Sequence, residues 1–232
     1  MSQLKNINIS TPTYREIIPS SKKEISIKPF KVKDEKILLM AAESKDDKQM
    51  VDSLKKVVEN CTEGVEVEKL ASYDIEYLFI KIRSKSVGEI AEIGVKCNNC
   101  DTQNNVKVDL GEVTVNTENE RVKNIKVNDE LIFEMREPNI DDVAVPAKNA
   151  DGVVKFLSRC VNKVYYGEDV IDVSPVEYDD VSNILLQLTS SQFQPFQNYI
   201  NSMPKVTKEI SFTCTHCGNE QNNKLEGLSD FF

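Results

Sequence analysis

A chain of 232 residues with 40% hydrophobic and 29% charged side chains has a globular balance, which excludes a disordered polymer and allows a sizeable core. A formal charge of −9, from 29 basic and 38 acidic residues, argues against binding duplex nucleic acid, which requires Lys and Arg to neutralise phosphates. No apolar run approaches the roughly 20 residues that span a bilayer, and the opening MSQLKNINISTPTY lacks a secretory h-region, so a soluble cytoplasmic protein is expected.

Residues 1–24 show little apolar periodicity and read as an extended N-terminal arm. The first 31 residues hold six basic and two acidic side chains, a pattern better suited to a solvated arm than to a binding patch. Ile25, Ile27 and Pro29-Phe30 predict a short strand entering a turn. A helix follows around Ile37, Leu38, Met40 and Ala41, with Asp34 and Glu35 at its positive end. A second helix carries the stripe Met50, Val51, Leu54, Val57, Val58 and Cys61, and Gly64 stands where a C-terminal stop belongs. The third, with Ser72 as its expected N-cap, carries Ile75, Leu78, Phe79 and Ile82 and ends near Gly88.

Next come a strand at Ile90–Val95, the pair Cys97 and Cys100, and alternating Val106, Val108 and Leu110. Strand, knuckle, strand is the hairpin of a zinc ribbon. Residues 112–124 are polar and read as a loop. Ile125 to Met135 predict a hairpin turning at Asn128-Asp129, and Pro138 ends it. A helical stripe runs through Val153, Phe156, Leu157, Cys160, Val161 and Val164. Ser174-Pro175 is expected to open another helix, and a last one spans about 190–203, stopped by Pro204. A strand at Ile210–Thr213 then leads into Cys214 and Cys217.

The fold class expected is α+β: helical subdomains with short strands, braced by a discontinuous four-cysteine zinc ribbon. The divisions are an arm (1–24), a first half (25–112), a connector and hairpin start (113–129), a second half (130–226) and a tail (227–232). Each half runs strand, turn, a helix ending in cysteine (Cys61, Cys160), a further helix, a strand and C-x-x-C. That shared order predicts an internal duplication, with each half supplying half of one metal site; chance similarity among short apolar patterns is the rival reading.

Zinc takes four thiolate ligands in a tetrahedron, and each C-x-x-C places two thiolates on one tight turn. Cys97, Cys100, Cys214 and Cys217 would fill every position and leave none for water, so the site is expected to be structural. Gly218 and Asp101 follow the knuckles, where backbone must turn back in a left-handed conformation. A redox dithiol is the rival chemistry, but that motif opens a helix in a βαβ setting rather than joining strands. The same spacing also allows separate ions bound between subunits, or knuckles that hold no metal. The 113 residues at 101–213 lie between the pairs, so metal loss is expected to unfold much of the chain.

His216, the single histidine, reads as an exposed loop residue, with Cys217 the better ligand. Cys61 and Cys160 read as core filler. No catalytic residues emerge: no histidine is available as a base and no glycine-rich phosphate loop is present. Asp141-Asp142 and Asp179-Asp180 read as helix-start acids or solvated faces.

The run Lys28-Pro29-Phe30-Lys31-Val32-Lys33-Asp34-Glu35-Lys36-Ile37-Leu38-Leu39, the segments Asp74–Arg83 and Ser86–Glu89, and Met203-Pro204 before the second C-x-x-C carry a resemblance. Together they resemble the T-even-type bacteriophage base plate protein family, the baseplate hub assembly proteins of contractile-tailed phages. The likeness covers 27–110 well and 130–220 more loosely, without the arm and tail. It implies a protein made in the infected host cytoplasm, acting in baseplate hub assembly as an assembly chaperone or as a hub component of the virion. Its partners would be hub or other tail proteins, with no membrane. The terminal Phe231 and Phe232 would either dock into a partner or fold back onto the chain. A zinc-ribbon adaptor binding nucleic acid or a polymerase is a second reading, opposed by the acidic charge. An enzyme with a metal-braced fold is a third.

Overall fold

The computed structural model describes residues 9–117, 122–143 and 149–231. Strands β1 (Tyr14–Ile17) and β2 (Glu24–Ile27) pair antiparallel, with Tyr14 opposite Ile27, and β3 (Thr62–Glu63) lies on the other side of β2. The expected arm therefore contains a strand, and Ile18 just beyond it is buried. Residues 1–8 lie outside the described residues.

Helices α1 (Val32–Ser44) and α2 (Asp47–Cys61) follow as expected. Asp46 caps α2 by accepting from the N–H groups of Lys48 and Gln49 at 2.9 and 3.1 Å. Its apolar stripe meets Ile25 and Ile27 in the first core. Gly64 does not stop this helix: α2 passes directly into β3, and Gly64, at φ +69°, turns the chain after the strand.

Helix α3 (Ser72–Ser86) begins at Ser72, so the cap is Ala71, whose N–H donates to Asp74 at 3.3 Å. The same carboxylate accepts from the Ser20 N–H at 2.9 Å, tying the β1–β2 turn to the helix. The predicted stripe faces the first core, while Ile80 on another face enters the third. A helix apolar on two faces is a helix packed on two sides.

Strands β4 (Ile90–Lys96) and β5 (Gln103–Asp109) form the first knuckle hairpin, with inward and outward residues alternating along both. The stretch expected as a loop includes a short strand, β6 (Thr114–Val115), paired with a strand some ninety positions later: Thr114 stands opposite Thr207. Two residues carry no readable periodicity, so only the distant partner reveals it. Residues 118–121 of that loop lie outside the described residues.

The second half opens with β7 (Asn124–Lys126) and β8 (Leu131–Met135), turning at Asn128, whose side chain accepts from the N–H groups of Glu130 and Leu131. Helix α4 (Ile140–Val143) and helix α5 (Ala150–Arg159) come next. The expected helical stripe through Val161 and Val164 is corrected here. Both belong to β9 (Val161–Tyr166), which turns at Gly167 (φ +60°) into β10 (Asp169–Asp172). Valine and tyrosine favour a pleated strand, and spacing alone does not separate the two readings at that length.

Ser174-Pro175 forms a turn in which the Glu177 N–H donates to the Ser174 carbonyl at 3.0 Å, and α6 (Tyr178–Leu186) begins after it. Helix α7 (Ser190–Asn201) is capped by Thr189. Then come β11 (Val206–Thr213), β12 (Glu220–Glu226), which sequence periodicity did not reveal, and a 3-10 turn at Leu228–Phe231. The sheet orders are β1-β2-β3, β10-β9-β8-β7, β12-β11-β6 and β4-β5.

Among the described residues, the buried apolar side chains group into three cores. One is built mainly from residues 18–82, one from 125–199, and the third from both knuckle hairpins together with Ile80 and Phe231. The two halves also share hydrogen bonds in matching places. Lys28 N–H donates to the Cys61 carbonyl at 2.8 Å, and Arg136 N–H to that of Cys160 at 2.7 Å. Lys31 N–H donates to buried Asp34 at 3.0 Å, and Asn139 N–H to buried Asp142 at 2.9 Å.

Candidate metal centre

The four cysteines converge. Their sulfurs all lie within 4.8 Å of one another, with Cys97 to Cys217 and Cys100 to Cys214 both at 3.7 Å. Four sulfurs held about 2.3 Å from one ion in a tetrahedron stand about 3.8 Å apart. A disulfide needs about 2.0 Å, so none of these contacts is one. The donor set therefore fits a closed, all-thiolate zinc site, with no position left for a reacting water.

Each knuckle is built alike. Cys97 N–H donates to the Thr102 carbonyl and Asp101 N–H to the Cys97 carbonyl, both at 2.9 Å. In the second, Cys214 N–H donates to Asn219 at 2.9 Å and Gly218 N–H to Cys214 at 3.0 Å. Asp101 and Gly218 both have positive φ, +57° and +70°, the conformation expected for them. This closes each turn tightly enough to aim backbone N–H groups at sulfur.

Those donors shape the thiols. N–H groups of Cys217 and His216 hold the Cys214 thiol down at about 6, below its ordinary value. At Cys97 the Asn99 N–H also pulls downward, but burial and the Cys100 and Cys214 thiols push the group up to about 11. Cys100 lies 3.3 Å from the Thr102 hydroxyl, which lowers it.

Two side chains that sequence reading overlooked cross between the knuckles. Buried Asn104 accepts from the Thr215 N–H at 2.8 Å and directs its own amide N–H at Cys214 Sγ, 3.6 Å away. Buried Gln221 accepts from the Asn98 N–H at 3.2 Å. A signal existed: each stands seven places after the first cysteine of its knuckle, an amide at an inward-facing position of the strand.

His216 is exposed and outside the sulfur cluster. Cys61 and Cys160 are buried in the first and second cores. Asp142 pairs with Arg136 at 2.7 Å, Asp141 with Lys55 at 2.9 Å, and Asp179 and Asp180 occupy the first turn of α6. Of the tail aromatics, Phe231 folds back into the third core at 1% exposure; Phe232 lies outside the described residues.

With this arrangement in hand, comparison with known proteins gives one family. A family model described as T4 bacteriophage base plate protein matches residues 11–232. The chain belongs to that family. The match includes the β1 strand and the tail, beyond the segments whose sequence carried the resemblance. Nothing among the curated proteins or the solved structures matches. In this baseplate protein, among the described residues, no helix is long and apolar enough to cross a membrane.

Proposed function

We propose that this baseplate protein acts without catalysis in assembly of the baseplate hub, as an assembly chaperone or as a hub component, through contacts with other tail proteins. The family match over residues 11–232 is the observation that carries this reading. The protein would be made in the cytoplasm of the infected host and act there. Tagged protein recovered from infected cells should bring down hub proteins, and mature particles should then be searched for it by mass spectrometry. Presence in particles favours a hub component; absence with hub proteins bound favours a chaperone; recovery without any tail protein removes both.

Within this role Cys97, Cys100, Cys214 and Cys217 hold one structural zinc ion, a reading supported by the 3.7 Å sulfur separations. The ion would close the far end of a brace whose near end is apolar: both hairpins already share the third core, and β6 pairs with β11. The discontinuous ribbon and the internal duplication belong to the same reading. Supporting the duplication are the paired bonds Lys28–Cys61 with Arg136–Cys160, and Lys31–Asp34 with Asn139–Asp142. Superposition of residues 25–110 on 130–224 tests it; a backbone that keeps these four bonds in register is the expected result. The acidic balance of −9 gives the nucleic-acid adaptor no comparable support.

A further inference from the structure

We propose that Asn104 and Gln221 are positioning residues that hold the two knuckles at metal-binding separation before any ion arrives. The proposal rests on the zinc reading above and concerns how the site is prepared. Each amide belongs to one hairpin and acts on the other. Asn104 of β5 accepts from the N–H of Thr215, at 2.8 Å, and from its hydroxyl, at 2.9 Å. Gln221 of β12 accepts from the N–H of Asn98 at 3.2 Å. Thr215 and Asn98 each follow the first cysteine of their own knuckle, so the ties are reciprocal.

Burial makes these ties selective. Asn104 is 3% exposed and Gln221 6%, and a buried amide without partners is costly. Asn104 satisfies its N–H group on the Thr102 carbonyl at 2.9 Å and on Cys214 Sγ at 3.6 Å. These partners are available together only when the knuckles face one another in this register. Sliding one hairpin past the other would strand the acceptor oxygens of both amides at once. Asn98 adds a bond to Asn223 at 3.0 Å on the same seam.

The consequence is an assembled metal-free site. The crossed amides and the shared core oppose separation of the knuckles. Metal binding then need not supply the closure of the intervening loop.

The test uses the full chain, with wild type, Asn104→Leu, Gln221→Leu and the exposed control Ser211→Ala. Zinc and cobalt affinities are measured by competition with a chelator. Outer-shell changes typically weaken metal binding about 10–100-fold. That loss is expected for both leucine variants, with one ion per chain retained, shifted Co2+ ligand-field bands and an unchanged control. Affinities within about twofold of wild type would overturn the proposal.

Amide exchange in the metal-free protein, followed by NMR, is the second readout. Asn104→Leu should expose the Thr215 N–H and spare Asn98, while Gln221→Leu should do the reverse. Rapid exchange of both amides in metal-free wild type would overturn the proposal even if zinc binds tightly. Should a leucine variant fail to fold, Asn104→Asp keeps the acceptor for Thr215 and removes the donor to Cys214. It should then retain Thr215 protection, and loss of that protection would count against the tie. A wild type that takes up no metal removes the zinc reading, while the exchange pattern still decides the role of the amides.

Discussion

Glu76 of α3 accepts a hydrogen bond from the backbone N–H of Leu228, at 3.2 Å and across 152 positions of chain. The carboxyl thus pins the C-terminal turn against the helix that separates the first and third cores.

Burial of that carboxyl makes stability depend on pH. Burial pushes Glu76 up to about 7 from an ordinary 4.5, and the Leu228 N–H only partly offsets it. A carboxyl raised on folding binds its proton more tightly in the folded chain. Its contribution is complete below about 4.5 and is lost as pH rises through about 7. Glu76→Gln keeps an acceptor without the charge and should exceed wild type by on the order of 2 kcal/mol at pH 8. The difference should close below about pH 4.5; urea midpoints across that range measure it, and a constant gap would remove Glu76 as its source.

The sulfur cluster predicts one zinc per chain by elemental analysis, lost in Cys97→Ser and in Cys214→Ser. Zinc-finger peptides gain about 10–16 kcal/mol from the ion. Here the loss should be several kcal/mol at most, because the shared third core and the β6–β11 pairing remain without it. Sequence spacing alone pointed to unfolding of much of the chain. Chelation should instead leave the knuckle hairpins held by Asn104, Gln221 and the shared third core, while the second core, built from residues 125–199, keeps its amide protection.

Phe231 bears on any use of the tail. Its ring is buried in the third core, so Phe231→Ala should cost about 3 kcal/mol through the cavity left behind. Deleting 228–232 should therefore lower the melting temperature even without a partner. Loss of hub-protein binding in that deletion would need the stability of the variant measured beside it.

Cysteine labelling separates two chemical classes. Burial first, and the Asp34 carboxylate second, push the Cys61 thiol up to about 12. Burial and then Asp142 raise Cys160 as well. A raised thiol carries almost no thiolate at pH 8, so iodoacetamide should leave both untouched in the native protein. Metal-free protein should label at the knuckle cysteines first, with Cys61 and Cys160 reacting only in urea. Mass spectrometry reads the order, and native labelling of Cys160 would contradict its burial.

Much of this architecture was legible where the signal is local. The stripe of α2, the alternation of β4 and β5, and the left-handed residues after both knuckles follow from nearest-neighbour sterics and from the period of one element. Val161 and Val164 misled because residues three apart suit a helix face, whereas in β9 they pair across to Met135 and Phe133. Phe231 could be read as free or folded back, since an aromatic near a terminus has the same local context in both cases.

The amino-acid order alone determined the residue types able to ligate a metal, their spacing on two tight turns, and which face of most elements is apolar. Only the tertiary structure decided that both turns meet, that β6 finds β11, and that Asn104 and Gln221 cross between the hairpins. Local patterns arise from bonds a few residues long. These three contacts join surfaces separated by about a hundred positions, and no local periodicity encodes which distant partner a polar side chain will meet once water is excluded.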